Sequence, residues 1–364
     1  MKTLHYVGMD VHKETIDVVV FREDEREPFL ERTILNQVGV IRKLFKKLME
    51  GGSVIACYEA GCMGFGLQRM LEEMGVASIV ASPGRVPRRP TDRVKTDRRD
   101  ARRLSEQLRA RTLEAIHIPS RDDEAVRDYL RAREDVRLEL VKTKQRLQKF
   151  LLRHGYVYES TRYWTGRHDR WLRGLEFDKG MLKEVFEEYY FMIGELTEKL
   201  RLMDRRIEEI ALSEPYAVRV GRLRCFKGID YLTALSIICE VGDFRRFSHA
   251  ESFMAFLGLV PCEASSGEKR RQGGITKSGN THLRKLLIES SWHYRYKSAP
   301  SKRLTERRKG QPAEIIAYAD RAMRRLQWKF LRLIMKGKTK QAAVTAVARE
   351  LAGFVWGMMV GQTA

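Results

Sequence analysis

The sequence has few cysteines and no long apolar run, and each scarcity excludes a class of protein. Its five cysteines among 364 residues form no Cys-x-x-Cys pair, which argues against a structural zinc site. Their odd number, with no recognisable signal peptide, leads us to expect a reducing cytoplasm. The apolar runs are shorter than the about 20 residues that cross a bilayer, so we expect no membrane association. We interpret the apolar segment 354–360 as part of the core.

Negative charge is also scarce. The chain has 69 Lys and Arg against 48 Asp and Glu, a formal net charge of +21. Such an imbalance indicates the partner rather than the fold, and the natural partner is a polyanion whose binding weakens steeply with salt. We therefore expect a protein that binds nucleic acid and associates with the nucleoid. The alternative is a basic protein of ribosomal type.

Residues 1–115 alternate between strand and helix patterns. Apolar strands are predicted at 4–10, 15–21, 29–34, 53–59 and 76–81. The first two fit a hairpin with Val11-His12-Lys13-Glu14 as its turn. Helices are predicted at 37–50, at 64–74 and around Asp97 and Asp100, after a proline-dotted loop. This order predicts an α/β domain of the RNase H type.

Residues 116–212 form a second predicted domain. Apolar residues from 182 to 210 recur every three or four positions, which predicts a long coiled coil, and an earlier helix at 126–151 can fold back on it. The insert between them, 155–180, is aromatic and basic, with Arg162, Arg167 and Arg170 as candidate nucleic-acid contacts. Two interpretations stay open: a surface that stacks bases, or a plug between two helices.

Residues 213–364 form a third, mainly helical predicted domain. It opens with a helix, a glycine turn and a second helix at 226–235, an arrangement that can offer backbone N–H groups to a phosphate. A polar loop follows at 264–280. It combines serines and glycines with basic residues, namely Lys269, Arg270, Arg271 and Lys277. Its serines predict either a nucleophile or a phosphate-binding loop, and no Ser-His-Asp triad is supported.

Four acidic residues predict a metal centre. Asp10 and Glu59 each end an apolar strand, while Asp97 and Asp100 lie one helical turn apart. Carboxylates in such places are costly unless compensated, and hard oxygen ligands suit Mg²⁺. The alternative is four surface acids paired with neighbouring arginines. The basic residues near the last two acids suit a phosphodiester substrate and are Arg93, Lys95, Arg98, Arg99 and Arg102.

Several motifs occur in an order that resembles the DEDD-type transposases of bacterial insertion sequences, relatives of the Piv DNA invertase. They are Gly8-Met9-Asp10-Val11-His12-Lys13, Tyr58-Glu59-Ala60-Gly61, Lys95-Thr96-Asp97-Arg98-Arg99-Asp100-Ala101, Gly258-Leu259-Val260-Pro261, Ser265-Ser266-Gly267 and Thr276-Lys277-Ser278-Gly279-Asn280. The resemblance implies a RuvC-like domain, a coiled coil and a C-terminal transposase domain. It also implies that Asp10, Glu59, Asp97 and Asp100 bind Mg²⁺.

The same resemblance implies the reaction and the partners. Ser266, with Ser265 as its rival, is implied to attack a DNA phosphate and form a phosphoserine link. Donor and target DNA, a noncoding bridge RNA and further copies of the chain, as a dimer or tetramer, are the implied partners. Two competing hypotheses are a metal-dependent junction endonuclease that uses water and a scaffold without catalytic activity.

Overall fold

A computed structural model describes residues 3–82, 96–266 and 269–362, and for 264–266 and 269–272 the backbone alone. The chain divides into two compact units, Met1–Ile118 and Pro119–Ala364. The predicted boundary near residue 212, inside the second unit, stays a prediction.

The first unit is a five-stranded mixed sheet with three helices. The sheet order is β3-β2-β1-β4-β5; β1, β2 and β3 pair antiparallel, whereas β1, β4 and β5 run parallel. This architecture agrees with the predicted α/β class. The elements are β1 (Thr3–Val11), β2 (Thr15–Arg22), β3 (Leu30–Leu35), α1 (Val38–Gly51), β4 (Gly52–Glu59), α2 (Gly66–Glu73), β5 (Ala77–Ala81) and α3 (Asp97–Arg109).

The two faces of this sheet have different cores. Val7 and Met9 of β1 belong to the cluster that includes the buried side of α1. Tyr6 of β1 and Cys57 of β4 instead pack with Leu104 of α3. Because strand side chains alternate between faces, the residues that share a face with Tyr6 and Cys57 include the strand-ending acids.

A single glycine permits the close approach of α3 to the sheet. A Cβ atom on Gly8 would lie 2.2 Å from the carbonyl oxygen of Ala101 and 2.4 Å from the backbone nitrogen of Ser105. Two contacts fix α3 along the strands: Ser105 Oγ donates to the Tyr6 carbonyl at 2.7 Å, and Cys57 Sγ donates to the Leu104 carbonyl at 3.4 Å. The amino-terminal turn of α3 therefore lies at the carboxyl ends of β1 and β4.

The second unit is mainly helical, with one small sheet. Two short 3-10 helices, Phe244–Arg246 and Trp292–Arg295, complete it. The other elements are α4 (Arg121–Arg153), α5 (Gly166–Arg173), α6 (Gly180–Leu212), α7 (Ala217–Leu223), α8 (Tyr231–Val241), α9 (Ala250–Phe256), β6 (Pro261–Ser266), β7 (Lys269–Ile275), α10 (Thr281–Ser291), α11 (Lys302–Arg307), α12 (Ala313–Met335) and α13 (Lys340–Val360).

Helices α4 and α6, each 33 residues and about 50 Å long, pack against each other. Leu147 and Phe150 of α4 meet Phe186 and Ile193 of α6 in a core that also takes in Leu172 of α5. The opposite ends of the same helices join the main core of α7 to α13. The supercoil itself stays a prediction.

One helix corrects the expectation drawn from apolar run length. Helix α13 is long and apolar enough to cross a membrane by length and composition, and 56% of its apolar window is buried inside the protein. Val347, Leu351 and Val355 are fully buried in the main core. A mostly buried core helix passes the same test, so this feature is weak evidence for a membrane span. The segment 354–360 packs as expected.

One further expectation was wrong. The predicted polar loop contains an antiparallel hairpin of β6 and β7, because a glycine-rich, charged sequence gives no apolar alternation from which to predict a strand. The predicted phosphate contact at the amino terminus of α8 stays a prediction, and an acidic residue caps that helix. The Asp230 carboxylate accepts a hydrogen bond from the Tyr231 backbone nitrogen and pairs with Arg224 at 2.9 Å and Arg307 at 3.1 Å.

Candidate functional site

Two of the predicted acids lie side by side at the carboxyl ends of two neighbouring strands in the first unit's sheet. Met9 of β1 and Tyr58 of β4 are partners in the parallel register, so Asp10 and Glu59 follow on adjacent strands. Both face α3, because Asp10 lies four residues after Tyr6 and Glu59 lies two residues after Cys57, and both of these side chains pack on that helix. Asp10 retains 24% of its side-chain exposure, and Glu59 is half-buried.

The other two acids occupy the first turn of α3. Thr96 caps the helix, and its hydroxyl accepts from the Arg99 backbone nitrogen at 3.4 Å. Asp97 is exposed and Asp100 is buried. A helix amino terminus stabilises negative charge, which lowers the cost of gathering carboxylates there. The close packing at Gly8 sets the height of this turn above the strand ends.

The closest convergence in this region includes a histidine that sequence reasoning missed as a ligand. His12 Nε2 lies 3.5 Å from Asp10 Oδ2 and 3.3 Å from Asp97 Oδ2. One ligand atom from each of Asp10, His12 and Asp97 lies within 4.8 Å of the others. Its position two residues after a strand-ending aspartate was the available signal, but a histidine in a predicted turn is usually a surface residue.

The electrostatics of Asp10 are those of a crowded carboxylate. Burial raises its pKa, and the charges of Asp97, Asp100 and Asp17 raise it further, whereas His12 opposes the shift. Asp100 differs, because Arg103 Nη2 lies 2.7 Å from its Oδ1. The alternative interpretation, a carboxylate paired with a neighbouring arginine, therefore describes part of Asp100's environment.

The donor set fits a divalent cation. Asp10 and Asp97 offer carboxylate oxygens, which suit Mg²⁺ or Mn²⁺, and His12 offers an imidazole nitrogen, which suits later transition metals. Glu59 and Asp100 lie at the same end of the sheet but outside that three-residue group. The structure thus brings two of the four predicted acids together with a histidine.

The basic residues predicted beside the acids divide into two groups. Arg102 contacts Glu27 at 3.0 Å and Glu31 at 3.6 Å, and Arg98 lies 3.8 Å from Glu31, so these two also hold α3 against the β3 side of the unit. Arg99 is exposed on the same helix. Arg93 and Lys95 lie outside the described residues. Any phosphate contact by Arg102 competes with these ion pairs.

The predicted nucleophile lies on the hairpin of the second unit. In the backbone register Ser266 pairs with Lys269 and Ser265 with Arg270, so both serines lie at the carboxyl end of β6. Arg271 pairs with Ala264 farther down the hairpin. Lys277, just beyond it, is exposed and has a left-handed backbone with φ of 57°.

The base of this hairpin is tightly fixed. The segment at Gly258 passes so close to the segment at Ser278 that a Cβ on Gly258 would lie 2.0 Å from the Ser278 carbonyl oxygen. Gly258 and Gly279 both have positive φ, at 65° and 86°. The buried Arg284 donates to the Leu257 carbonyl at 2.9 Å and to Thr281 Oγ1 at 3.0 Å. These close contacts and hydrogen bonds therefore form a rigid support for the base of the hairpin.

A buried carboxylate extends that support to α4 and α8. Glu240 accepts from Arg131 at 3.0 Å, contacts Arg127 at 3.4 Å and accepts from Asn280 Nδ2 at 2.9 Å. Asn280 also caps α10, because its Oδ1 accepts from the Leu283 backbone nitrogen. Such charge-assisted contacts are strong where water is excluded, so the start of α10 is held in register with α4.

Comparison with known proteins assigns the chain to a family. Residues 220–306 match the profile described as "Transposase IS116/IS110/IS902 family". Residues 7–155 match the DEDD transposase domain of IS110 elements, described as "Transposase". Over 346 residues the chain is 42% identical to the transposase for insertion sequence element IS1533 of Leptospira borgpetersenii, covering 93% of this chain and 99% of that relative. The chain belongs to the IS110 family of transposases.

Other relatives agree with this assignment. The y4qE protein of Sinorhizobium fredii, whose name also carries the word transposase, is 36% identical over 353 residues, or 96% of this chain and 87% of the relative. The transposase for insertion sequence element IS1111A of Coxiella burnetii is 37% identical over 99 residues, which cover 27% of this chain and 24% of that protein. As an IS110-family transposase, the chain is a DNA-processing enzyme. Its DEDD domain implies an RNase H-like fold and dependence on a divalent metal.

Proposed function

We propose that this transposase exchanges DNA strands with Mg²⁺ held by Asp10, Glu59, Asp97 and Asp100, and that Ser266 is its nucleophile. The convergence of ligand atoms from Asp10, His12 and Asp97 within 4.8 Å carries the metal part of the proposal, and His12 is added as a ligand on that ground. When bound, the cation supplies Lewis-acid stabilisation of the negative charge that develops at the phosphate.

The serine step follows from the chemistry of phosphodiesters. The Ser266 oxygen bonds to phosphorus as the bond from phosphorus to the departing deoxyribose oxygen breaks. The serine proton leaves through solvent, and the departing strand ends in a hydroxyl. Rejoining reverses these changes with the hydroxyl of another strand, so the bond count is conserved. The rigid support beneath the hairpin suits such a nucleophile because a small misplacement of reacting atoms is costly.

The partners belong to the same proposal. Donor and target DNA supply the phosphodiesters, a bridge RNA selects them, and the Piv-like arrangement joins the acids of one copy to the serine hairpin of another. The net charge of +21 supports two nucleic-acid partners. Lys269, Arg270, Arg271 and Lys277, close to the serines in sequence, are proposed to hold the attacked phosphate.

A second candidate is a metal-dependent junction endonuclease that uses water. The grouping of Asp10, His12 and Asp97 favours it, because these three residues converge without any contribution from the hairpin.

Denaturing electrophoresis of the full-length protein with Mg²⁺, copurified RNA and DNA carrying the element ends distinguishes the two candidates. A covalent protein–DNA adduct that persists in Ser265→Ala and is absent from Ser266→Ala and Asp10→Asn is the expected result. Cleavage without any adduct, unchanged in Ser266→Ala, would establish the endonuclease instead.

A further inference from the structure

A cavity of about 310 Å³ opens at the tip of the α4–α6 pair, within the insert that the metal chemistry does not use. Its volume is at the lower end of the about 300–1,000 Å³ typical of ligand pockets, which suits one planar ring system. We call it the tip pocket. Its lining includes Lys149, Tyr156, Tyr158, Tyr163, His168 and Trp171.

The aromatic rings of the tip pocket are inclined to one another. The Tyr158 ring centroid lies 5.2 Å from that of Trp171 at 48° and 4.8 Å from that of His168 at 79°. Tyr163 lies 5.1 Å from His168 at 68°. His168 and Trp171 are the most nearly parallel of the lining pairs, at 5.6 Å and 33°. Because these rings line the cavity, a planar ligand inside it can stack on them.

A buried polar atom lies in the same wall. His168 is 1% exposed, and its Nδ1 has no hydrogen-bond partner in the part of the chain that the structure describes. Buried nitrogen atoms are normally hydrogen-bonded, and an exception requires an explanation. A ligand with donors and acceptors on a ring edge provides the missing partner.

The charge around the tip pocket indicates what carries that ring. Arg162, Arg167 and Arg170 are exposed, and none has an ion-pair partner among the residues described. Lys149 adds an exposed ammonium on the lining itself. Cationic side chains beside stacking aromatics are the arrangement with which proteins bind single-stranded nucleic acid.

We propose that the tip pocket receives one unstacked nucleobase of a single-stranded nucleic acid, RNA or DNA. The base stacks on Trp171, Tyr158 and Tyr163, and its edge hydrogen-bonds to His168. Arg162, Arg167 and Arg170 contact the adjoining phosphates. The inference rests on the proposed function only in that this protein acts on nucleic acid. A duplex cannot use the pocket without extruding a base, because its bases are already stacked.

Fluorescence anisotropy in EDTA tests this proposal, with labelled single strands of about 16 nucleotides, as RNA and as DNA, and the matching DNA duplex. The full-length variants are Trp171→Ala, Trp171→Phe and Tyr163→Ala. Tyr163 is 43% exposed, so its replacement by alanine should leave the core intact. This variant therefore tests the proposal even if Trp171→Ala does not fold. Trp328→Ala, at a 60% exposed tryptophan on α12, is the matched control.

We expect both alanine variants to bind single strands about 5- to 150-fold more weakly, with duplex affinity unchanged, whereas Trp171→Phe and Trp328→Ala bind as the unmodified chain does. The strand type with the larger loss identifies the natural source of the base. Unchanged single-strand affinity in Tyr163→Ala and in folded Trp171→Ala would overturn the proposal, as would an equal loss for single strands and duplex. Because no metal or cleavage is involved, this result is independent of the proposed reaction.

Discussion

Replacement of Gly8 by alanine tests whether the packing of α3 positions the acids. The new Cβ would lie 2.2 Å from the Ala101 carbonyl oxygen, whereas ordinary contact begins at 3.4 Å, so the helix must move by about 1 Å. Such overpacking costs about 1–3 kcal/mol of stability. The first turn of α3 moves with the rest of the helix, and a 1 Å displacement of catalytic groups costs about 100-fold in rate. Urea unfolding and metal-dependent cleavage measure the two effects.

Two glycine controls separate lost stability from a displaced site. Gly52→Ala also creates a steric clash, 1.9 Å from the Thr3 carbonyl oxygen, but at the opposite end of β4 from Glu59. It should lower stability while leaving metal affinity unchanged. Gly39→Ala meets nothing within 4 Å in α1 and should raise stability by up to about 1 kcal/mol. If Gly8→Ala retains full cleavage activity, the packing argument is wrong.

Three further changes test other parts of the account. Asp10→Asn should raise the stability of the metal-free protein at neutral pH, because burial and nearby acids raise the pKa of this carboxyl and so disfavour its charged form. The same change should abolish the stabilisation that added Mn²⁺ gives. A metal-free variant that is less stable than the unmodified protein at neutral pH would refute this reasoning. His12→Ala should weaken Mn²⁺ binding at least about 10-fold by spin-resonance titration, and an unchanged affinity would exclude it as a ligand. Glu134 has a pKa of about 2, against an ordinary 4.5, because Arg137 and Lys285 hydrogen-bond to it. Because of this depressed pKa, Glu134→Gln should lower the free energy of unfolding by about 1–2 kcal/mol at pH 7, after allowance for solvent screening. The difference should shrink as the pH falls from about 5 towards 2. Equal stability of the two proteins in urea unfolding at pH 7 would show that these contacts are unimportant.

Much of the first unit was predictable because its sequence signals are local. Alternating and continuous apolar runs predicted the β1–β2 hairpin and β4, and the structure has them within two residues of the predicted bounds. The helical spacing of Asp97 and Asp100 predicted acids on one turn. The strand order and the close approach at Gly8 were not predictable, because both depend on contacts between residues distant in sequence.

The candidate site was less accessible to sequence reasoning. The sequence predicts that His12 lies in a turn. Neither the spacing of the apolar residues around it nor its neighbours in sequence indicate which carboxylates it contacts in the fold. Pairing of the acids with neighbouring arginines is the alternative to a metal site, and Asp100 does pair with Arg103. Which arginine an acid meets depends on packing, which the sequence does not show. The hairpin that carries Ser266 was hidden because its polar residues have no apolar face to mark a strand.

The most direct test of the central claim is the anomalous scattering of a crystal of the protein grown with Mn²⁺. The account predicts a peak at about 2.0–2.4 Å from carboxylate oxygens of Asp10 and Asp97, with His12 Nε2 within the same coordination sphere. A map with Mn²⁺ bound elsewhere on the protein and no peak between these residues would contradict it.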